Sequence, residues 1–284
     1  MSIKSVRYLS VLLLALLITT VCLACKGTEA SVSAEQVLEN MMAAQADVES
    51  FQLDATISVD VQSPEADATI SADADCALDL KDKEMEAVAS MAMNIPGMTM
   101  NVAMQAYAVD DYIYVMTSMF GQEQWTKQAI PAGTWQNIEN SQYQIDSLLE
   151  VVEAEVVKEE SLNGVDCYVL ALTPDLAELQ QALLEQPGIG DQLAEMPDLE
   201  SMVQKMTFKI WVAKDTYFLM KAIVDMTVVM DAQAMGMPAG EGSATIELSL
   251  QMAAHDYNEP VSVDLPAEAA TATEGDSGFD LPFF

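Results

Sequence analysis

Phe51-Gln52-Leu53-Asp54-Ala55-Thr56-Ile57-Ser58-Val59-Asp60-Val61-Gln62 alternates apolar and polar residues at every position. A period of two puts one set on one face of a β-strand and the other set on the opposite face, so this is a strand with one dry and one wet side. Ser63-Pro64-Glu65 turns the chain. The same alternation resumes in Ala66, Ala68, Ile70, Ala72, Ala74, Cys76, Leu78 and Leu80, turns at Lys81-Asp82-Lys83, and returns in Met85, Ala87, Ala89, Met91, Met93 and Ile95. Pro96-Gly97 is a turn dipeptide. Met98, Met100, Val102, Met104, Ala106 and Ala108 follow, then Asp110-Asp111 and a strand from Tyr112 to Met116. Consecutive alternating strands joined by short turns predict an antiparallel meander.

Outward from this core the pattern changes. Upstream, Ser33 is placed to cap a helix whose apolar face is Val37, Leu38, Met41, Ala44 and Val48. Downstream, Trp125-Thr126-Lys127 opens an irregular stretch, and a helical turn is expected around Ser147 to Val152. Asn163-Gly164 joins Glu155–Glu160 to Val165–Leu172 as a hairpin. Helical segments are expected from Pro174 to Leu184 and from Asp191 to Gln204. Strands are expected over Met206–Val212, Tyr217–Met230, Ser243–His255 and Val261–Val263. The expected fold is α+β: about ten strands in one curved antiparallel sheet, an unclosed β-barrel wrapped over an N-terminal helix and a helical insertion, dry only on its concave side.

The N-terminus carries a different signal. Lys4 and Arg7 precede an apolar run of 16 residues, Leu9 to Ala24, which ends at Cys25. A basic start, a short apolar stretch and a small residue before the cut make a secretory signal. The cysteine directly after it resembles the lipidated cysteine of a bacterial lipoprotein signal. Cys22 stands where that pattern usually has leucine. Plain cleavage after Ala24 and a retained anchor are the alternatives, though the run is short of the roughly 20 residues that span a bilayer. The expected organisation is a signal peptide over 1–24, a tether over 25–32, a folded domain over 33–266, and an acidic disordered tail over 267–284 with an aromatic end, Phe279-Asp280-Leu281-Pro282-Phe283-Phe284. A diacylated Cys25 would hold the chain on the extracytoplasmic face of the cell membrane, since two acyl chains suffice for stable anchoring.

Composition excludes several partners. The formal net charge is −34, and without Lys4 and Arg7 nine basic residues face 45 acidic ones. Nucleic acid needs clustered Lys and Arg and is excluded as a partner. An anionic membrane surface repels such a body. No calcium-loop pattern appears. Cys76 and Cys167 are the cysteines left beyond the leader. An oxidising compartment permits a disulfide between them, and two buried free thiols are the alternative.

Motifs in their order carry a family resemblance. A lipoprotein leader and a helix precede VESFQLDATISVDVQ; then come DDYIYVMTSMFGQEQWTK, LNGVDCYVLALTPD, FKIWVAKDTYFLMKAIVDMTV and AAHDYNEPVSVDLPAEA. This order resembles bacterial lipoproteins of the LolA/LppX superfamily (LppX/LprG-like), in an uncharacterised Gram-positive-type branch. The resemblance covers about residues 33 to 268. It implies an unclosed barrel with helices across its mouth, a cavity for a lipid or acyl chain, carriage or sensing of that ligand, and no catalytic residues or cofactor.

The residues themselves favour a similar site. Met85, Met91, Met93, Met98, Met100 and Met104 alternate with alanines. Methionine fits varied apolar partners, and alanine leaves room beside it. These six are the expected lining of an apolar cavity, and packing against the chain's own helices is the bland alternative. Two other functions compete. One is a cell-envelope interaction or signalling module without a lipid, for which the aromatic tail is a candidate docking element. The other is a Cu(I) binder built on Met91-x-Met93, Met98-x-Met100 and Met235-x-Met237, whose thioethers suit soft metal. Period two alone explains the first two pairs. His255, the single histidine, lies beside Asp256 at a strand end, without a nucleophile motif around it.

Overall fold

A computed structural model describes residues 32–64, 67–136, 138, 152–184, 199–231 and 242–275. The body from Ala34 onward is one compact unit. Helix α1 (Ala34–Gln45) leads into β1 (Ser50–Gln62), β2 (Ala68–Asp79), β3 (Glu84–Ile95), β4 (Met98–Val109), β5 (Tyr112–Met119) and β6 (Gln122–Ala129). The chain resumes as β7 (Val152–Leu162), β8 (Val165–Pro174), α2 (Leu176–Leu184), α3 (Leu199–Met202), β9 (Val203–Ala213), β10 (Leu219–Asp231) and β11 (Ser243–His255). A 3-10 helix (Ala267–Thr271) and β12 (Thr273–Glu274) close it. Among the described residues no helix is long and apolar enough to cross a membrane.

All twelve strands form a single unclosed, curved sheet in the order β12-β6-β5-β4-β3-β2-β1-β11-β10-β9-β8-β7. One meander runs outward from β1 to β6. A second starts at the far edge with β7 and returns to β11, which lies antiparallel to β1 from Gln52↔His255 to Gln62↔Thr245. That central seam joins segments about 190 residues apart in the chain, a long-range pairing whose loop-closure cost must be met before it is rewarded.

Three strand expectations change. The stretch after Gly121 is a regular strand, β6, paired along its length with β5. Val261–Val263 is not a strand. The chain does not lose order at Pro266: the 3-10 helix buries Ala269, and β12 pairs in parallel with Thr126 and Lys127 of β6. Thr273 Oγ1 donates to the Trp125 carbonyl at 3.4 Å, and Lys127 Nζ lies 3.7 Å from Glu274. The expected disordered tail is therefore structured through Gly275; its aromatic end, 279–284, lies outside the described residues, as do the leader with Cys25 and the turn expected at 147–151.

One core cluster lies at the β2–β3 turn end of the strands. Leu78, Met85, Ala106, Ala108, Ile113 and Val115 pack together under Ile138, with Phe51, Cys76, Met104, Ile130 and Trp135 around them. Phe51 stacks on Tyr257 at 6.1 Å and Phe218 on Tyr257 at 4.5 Å. The segment after β11 clamps the start of β1: Asn258 Oδ1 accepts from Glu49 N–H at 2.7 Å, and Ser50 Oγ donates to the Glu259 carbonyl at 2.7 Å. α1 buries Val37, Leu38 and Met41, as its periodicity requires.

Candidate functional site

Directly paired residues of neighbouring strands share a face, so the registers define the apolar face without ambiguity. One row runs Met119, Val102, Met91, Ala72, Ile57, Leu250, Val224, Phe208, Leu172. The next runs Met100, Met93, Ile70, Val59, Leu248, Met226, Met206. The opposite face carries Asp54, Asp73, Asp75, Ser90, Gln251 and Ser249 in the intervening positions. The apolar surface is thus continuous across the sheet, and it is two residues deep beyond the core.

The six expected lining methionines divide. Met85 is 2% exposed and is part of the core, where it faces Leu78 and Ala108 across the ladder; it lines nothing open. Met104 packs against that core from its edge. Met91, Met93 and Met100 are half-buried, with Met93 directly opposite Met100. Met98 is 46% exposed. Phe208, Met206, Met226 and Leu248 belong to the same face but come from the second meander. Their alternation is visible in the sequence, but only the β1–β11 seam places them beside the β3–β4 methionines.

Two shallow depressions lie elsewhere. One of about 240 Å³ is bordered by Asp60, Lys205, Asp225 and Glu247 from the polar positions. One of about 390 Å³ sits where Lys127 and Tyr112 meet Glu274. Neither borders the methionines of β3 and β4. Among the described residues no group of three His, Cys, Asp or Glu is placed to hold a metal ion.

Cys76 and Cys167 carry free thiols. Cys76 lies on the apolar face of β2, whereas Cys167 lies on the opposite face of β8, five positions away in the sheet. Of the two alternatives the sequence left open, a disulfide or two free thiols, the structure has the free thiols. Burial pushes the Cys76 thiol up to about 11 and raises that of Cys167. Cys167 also corrects the one-sided picture of the sheet. With Val169 and Trp211 it forms a small apolar cluster on the face that carries Asp54, where Tyr107 and Met116 are also buried. Lys158 and Glu160 are paired opposite Val169 and Cys167, and Lys221 Nζ sits 5.4 Å from the Trp211 ring, so long charged side chains roof this cluster with their aliphatic stems.

His255 lies on the polar face between two carboxylates, with Nδ1 2.9 Å from Asp256 and Nε2 3.4 Å from Asp54. Burial acts to lower its pKa, but hydrogen bonds and charge from both aspartates outweigh it, and the net shift is upward. Its neighbours hold it as an ion-paired surface group.

The sequence from residue 33 to 274 matches the model of a family of unknown function, DUF6612. The chain belongs to that family. The match extends over the 3-10 helix and β12. No curated protein matches. Similar solved structures include a DUF1329 family protein from Desulfovibrio piger, at 12% identity over 82% of this chain and 96% of that one with a TM-score of 0.26. A LolA superfamily protein from Nitrosomonas europaea shares 12% over 84% and 97%, TM-score 0.22. A domain assigned to outer membrane lipoprotein-sorting proteins, from Vibrio parahaemolyticus, shares 12% over 81% and 95%, TM-score 0.23.

Proposed function

We propose that this protein is a lipid-anchored extracytoplasmic lipoprotein, held through Cys25, that binds a lipid or another acyl-chain ligand along the open Met/Ala face, for local hand-off or sensing rather than catalysis. The observation that carries this reading is the half-buried apolar surface that continues past the core. Rows of Met, Val, Leu and Ile cross both meanders, and Met91, Met93, Met100, Ile57, Val59, Leu248, Met226 and Met206 remain partly exposed, while Leu172 and Ala244 on the same face are buried. A sheet face of that composition seals its area against something apolar, and the flexible thioethers of Met91, Met93 and Met100 suit chains of varied shape.

Uptake of a fluorescent fatty acid by the full chain tests the site. Wild type is expected to bind, and Met93→Glu combined with Leu248→Glu to abolish binding, because a carboxylate in an apolar site costs several kcal/mol. Asp73→Asn on the opposite face should bind as wild type does. Equal binding by all three would remove the face from the account. Labelled palmitate tests the anchor: it should enter the wild type and not Cys25→Ser, and equal labelling of both would contradict lipidation.

A further inference from the structure

Two neighbouring hairpin tips at the open end of the sheet expose apolar side chains and carry no charge. The β3–β4 tip turns through Pro96-Gly97 and shows Ile95 at 36% and Met98 at 46% exposure. The β5–β6 tip shows Met119 at 42% and Phe120 at 74%. In a chain with 45 acidic residues there is no charge between Glu86 and Asp110, and none between Asp111 and Glu123. Ile95, Met98 and Met119 belong to the apolar face by register, so the tips form its rim.

Phe120 is an unusual occupant. Phe120-Gly121 has φ of 54° and 76°, close to the 51° and 89° of Asn163-Gly164 in the two-residue turn between β7 and β8. Asn-Gly suits that left-handed turn, whereas a bulky aromatic at positive φ is strained. The side chain gains no compensating burial in the fold, since it is the most exposed large apolar residue described. Strain of this kind concentrates at functional positions.

We infer that these two tips dip into the interface of a lipid bilayer and hold the rim of the apolar face against it, where an acyl chain can pass between membrane and sheet. This rests on the proposed ligand face, but the contact itself can be read without a ligand. A bilayer fits better than a protein partner. A partner protein would be met by charge complementarity to this acidic body, and the tips have none to offer. Four side chains on two turns are also far short of the roughly 800 Å² that each side of a stable protein interface buries. An interface between headgroups and acyl chains penalises charge and accepts Phe, Met and Ile. The acids elsewhere keep the rest of the body off an anionic surface, so contact is confined to the tips. Met98 lies four residues beyond Val102, the partner of Met119, about 13 Å along the strand. A bilayer touching both tips is therefore inclined to the strands, toward the β6 edge.

The full lipidated chain in phosphatidylcholine vesicles with brominated acyl chains provides the test. Phe120→Trp and Met98→Trp report on the tips, and Lys81→Trp on the β2–β3 turn at the opposite end; the parent chain gives the background of the native tryptophans. Trp at 120 and at 98 should each lose roughly half of their emission, because interfacial side chains reach about 5–10 Å into the headgroup and acyl boundary. Trp at 81 should be unquenched. Quenching at both tips and not at 81 supports the contact, and any other pattern overturns it. The ligand face is judged separately, by bound lipid, so failure here leaves that reading standing.

Discussion

The same strands end in two different environments. At the closed end, Leu78, Met85, Ala108 and Ile113 sit side by side on β2 to β5, each no more than 2% exposed, with Ile138 above them. At the open end, Ile70, Met93 and Met100 occupy equivalent positions on the same face and remain half-exposed, and Met98 beyond them is open. Nothing in the local pattern separates Met85 from Met93: both are methionines in an alternating Ala/Met strand. What separates them is the chain that returns over one end, namely the segment around Ile130 to Ile138 and the clamp of Tyr257 and Asn258 on Ser50. A β-strand's sequence thus declares which face is apolar, while burial is decided by distant segments.

The largest expected effects come from substitutions that test this contrast. Leu78→Ala should cost about 2–5 kcal/mol of unfolding free energy, the range for a buried leucine whose cavity cannot fully collapse. Met93→Ala, on the same face, should cost less than about 1 kcal/mol, since little of its packing is lost. Urea denaturation of the two variants compares the ends directly, and similar losses would erase the distinction between them.

The two hairpin turns give a smaller, paired effect of opposite sign. Phe120→Asn should stabilise the protein by ~1 kcal/mol by relieving a left-handed bulky residue. Asn163→Phe should destabilise it by a similar ~1 kcal/mol. Thermal melts of both variants check the signs. A loss of stability in Phe120→Asn would show that the phenyl ring contributes packing within the fold.

His255 offers a pH-dependent contrast of modest size, because its side chain is 37% exposed and screened by solvent. Its raised folded-state pKa means that the folded chain binds the proton more tightly than the unfolded chain. The stability this provides is fully present below the unfolded value near 6.5 and is lost as pH rises through the raised folded value. Wild type should therefore lose more stability than His255→Gln as pH rises from below the unfolded value of 6.5 through the raised folded value. Parallel pH profiles would show that Asp54 and Asp256 do not hold the charged imidazole. The smallest effect is none: adding a thiol reductant should leave stability unchanged, because Cys76 and Cys167 are not bonded. A reductant-dependent shift in the denaturation midpoint would contradict the placement of β2 and β8.

Much of the fold was legible because alternation is a local property. β1 to β5, the Asn163-Gly164 hairpin and the α1 face follow from spacing alone. β6 was not legible, since Gln122-Glu123-Gln124-Trp125-Thr126-Lys127-Gln128-Ala129 is polar on both faces and becomes a strand only by pairing with β5. β12 is two residues long and owes its existence to the β6 edge. The outer cluster of Cys167, Val169 and Trp211 escaped because Val165 to Leu172 is apolar on both sides. Within the candidate face, methionine chemistry pointed to β3 and β4, while the contribution of β9 to β11 depends on the seam between β1 and β11.

The most direct test of the ligand-binding face is native mass spectrometry of the full chain purified from a bacterial membrane, before and after solvent extraction, with the covalent lipid on Cys25 accounted for. The account predicts an additional, extractable lipid of defined mass that re-binds to wild type and is absent from the Met93→Glu, Leu248→Glu variant. A single mass before and after extraction, with no uptake of added lipid, would contradict it.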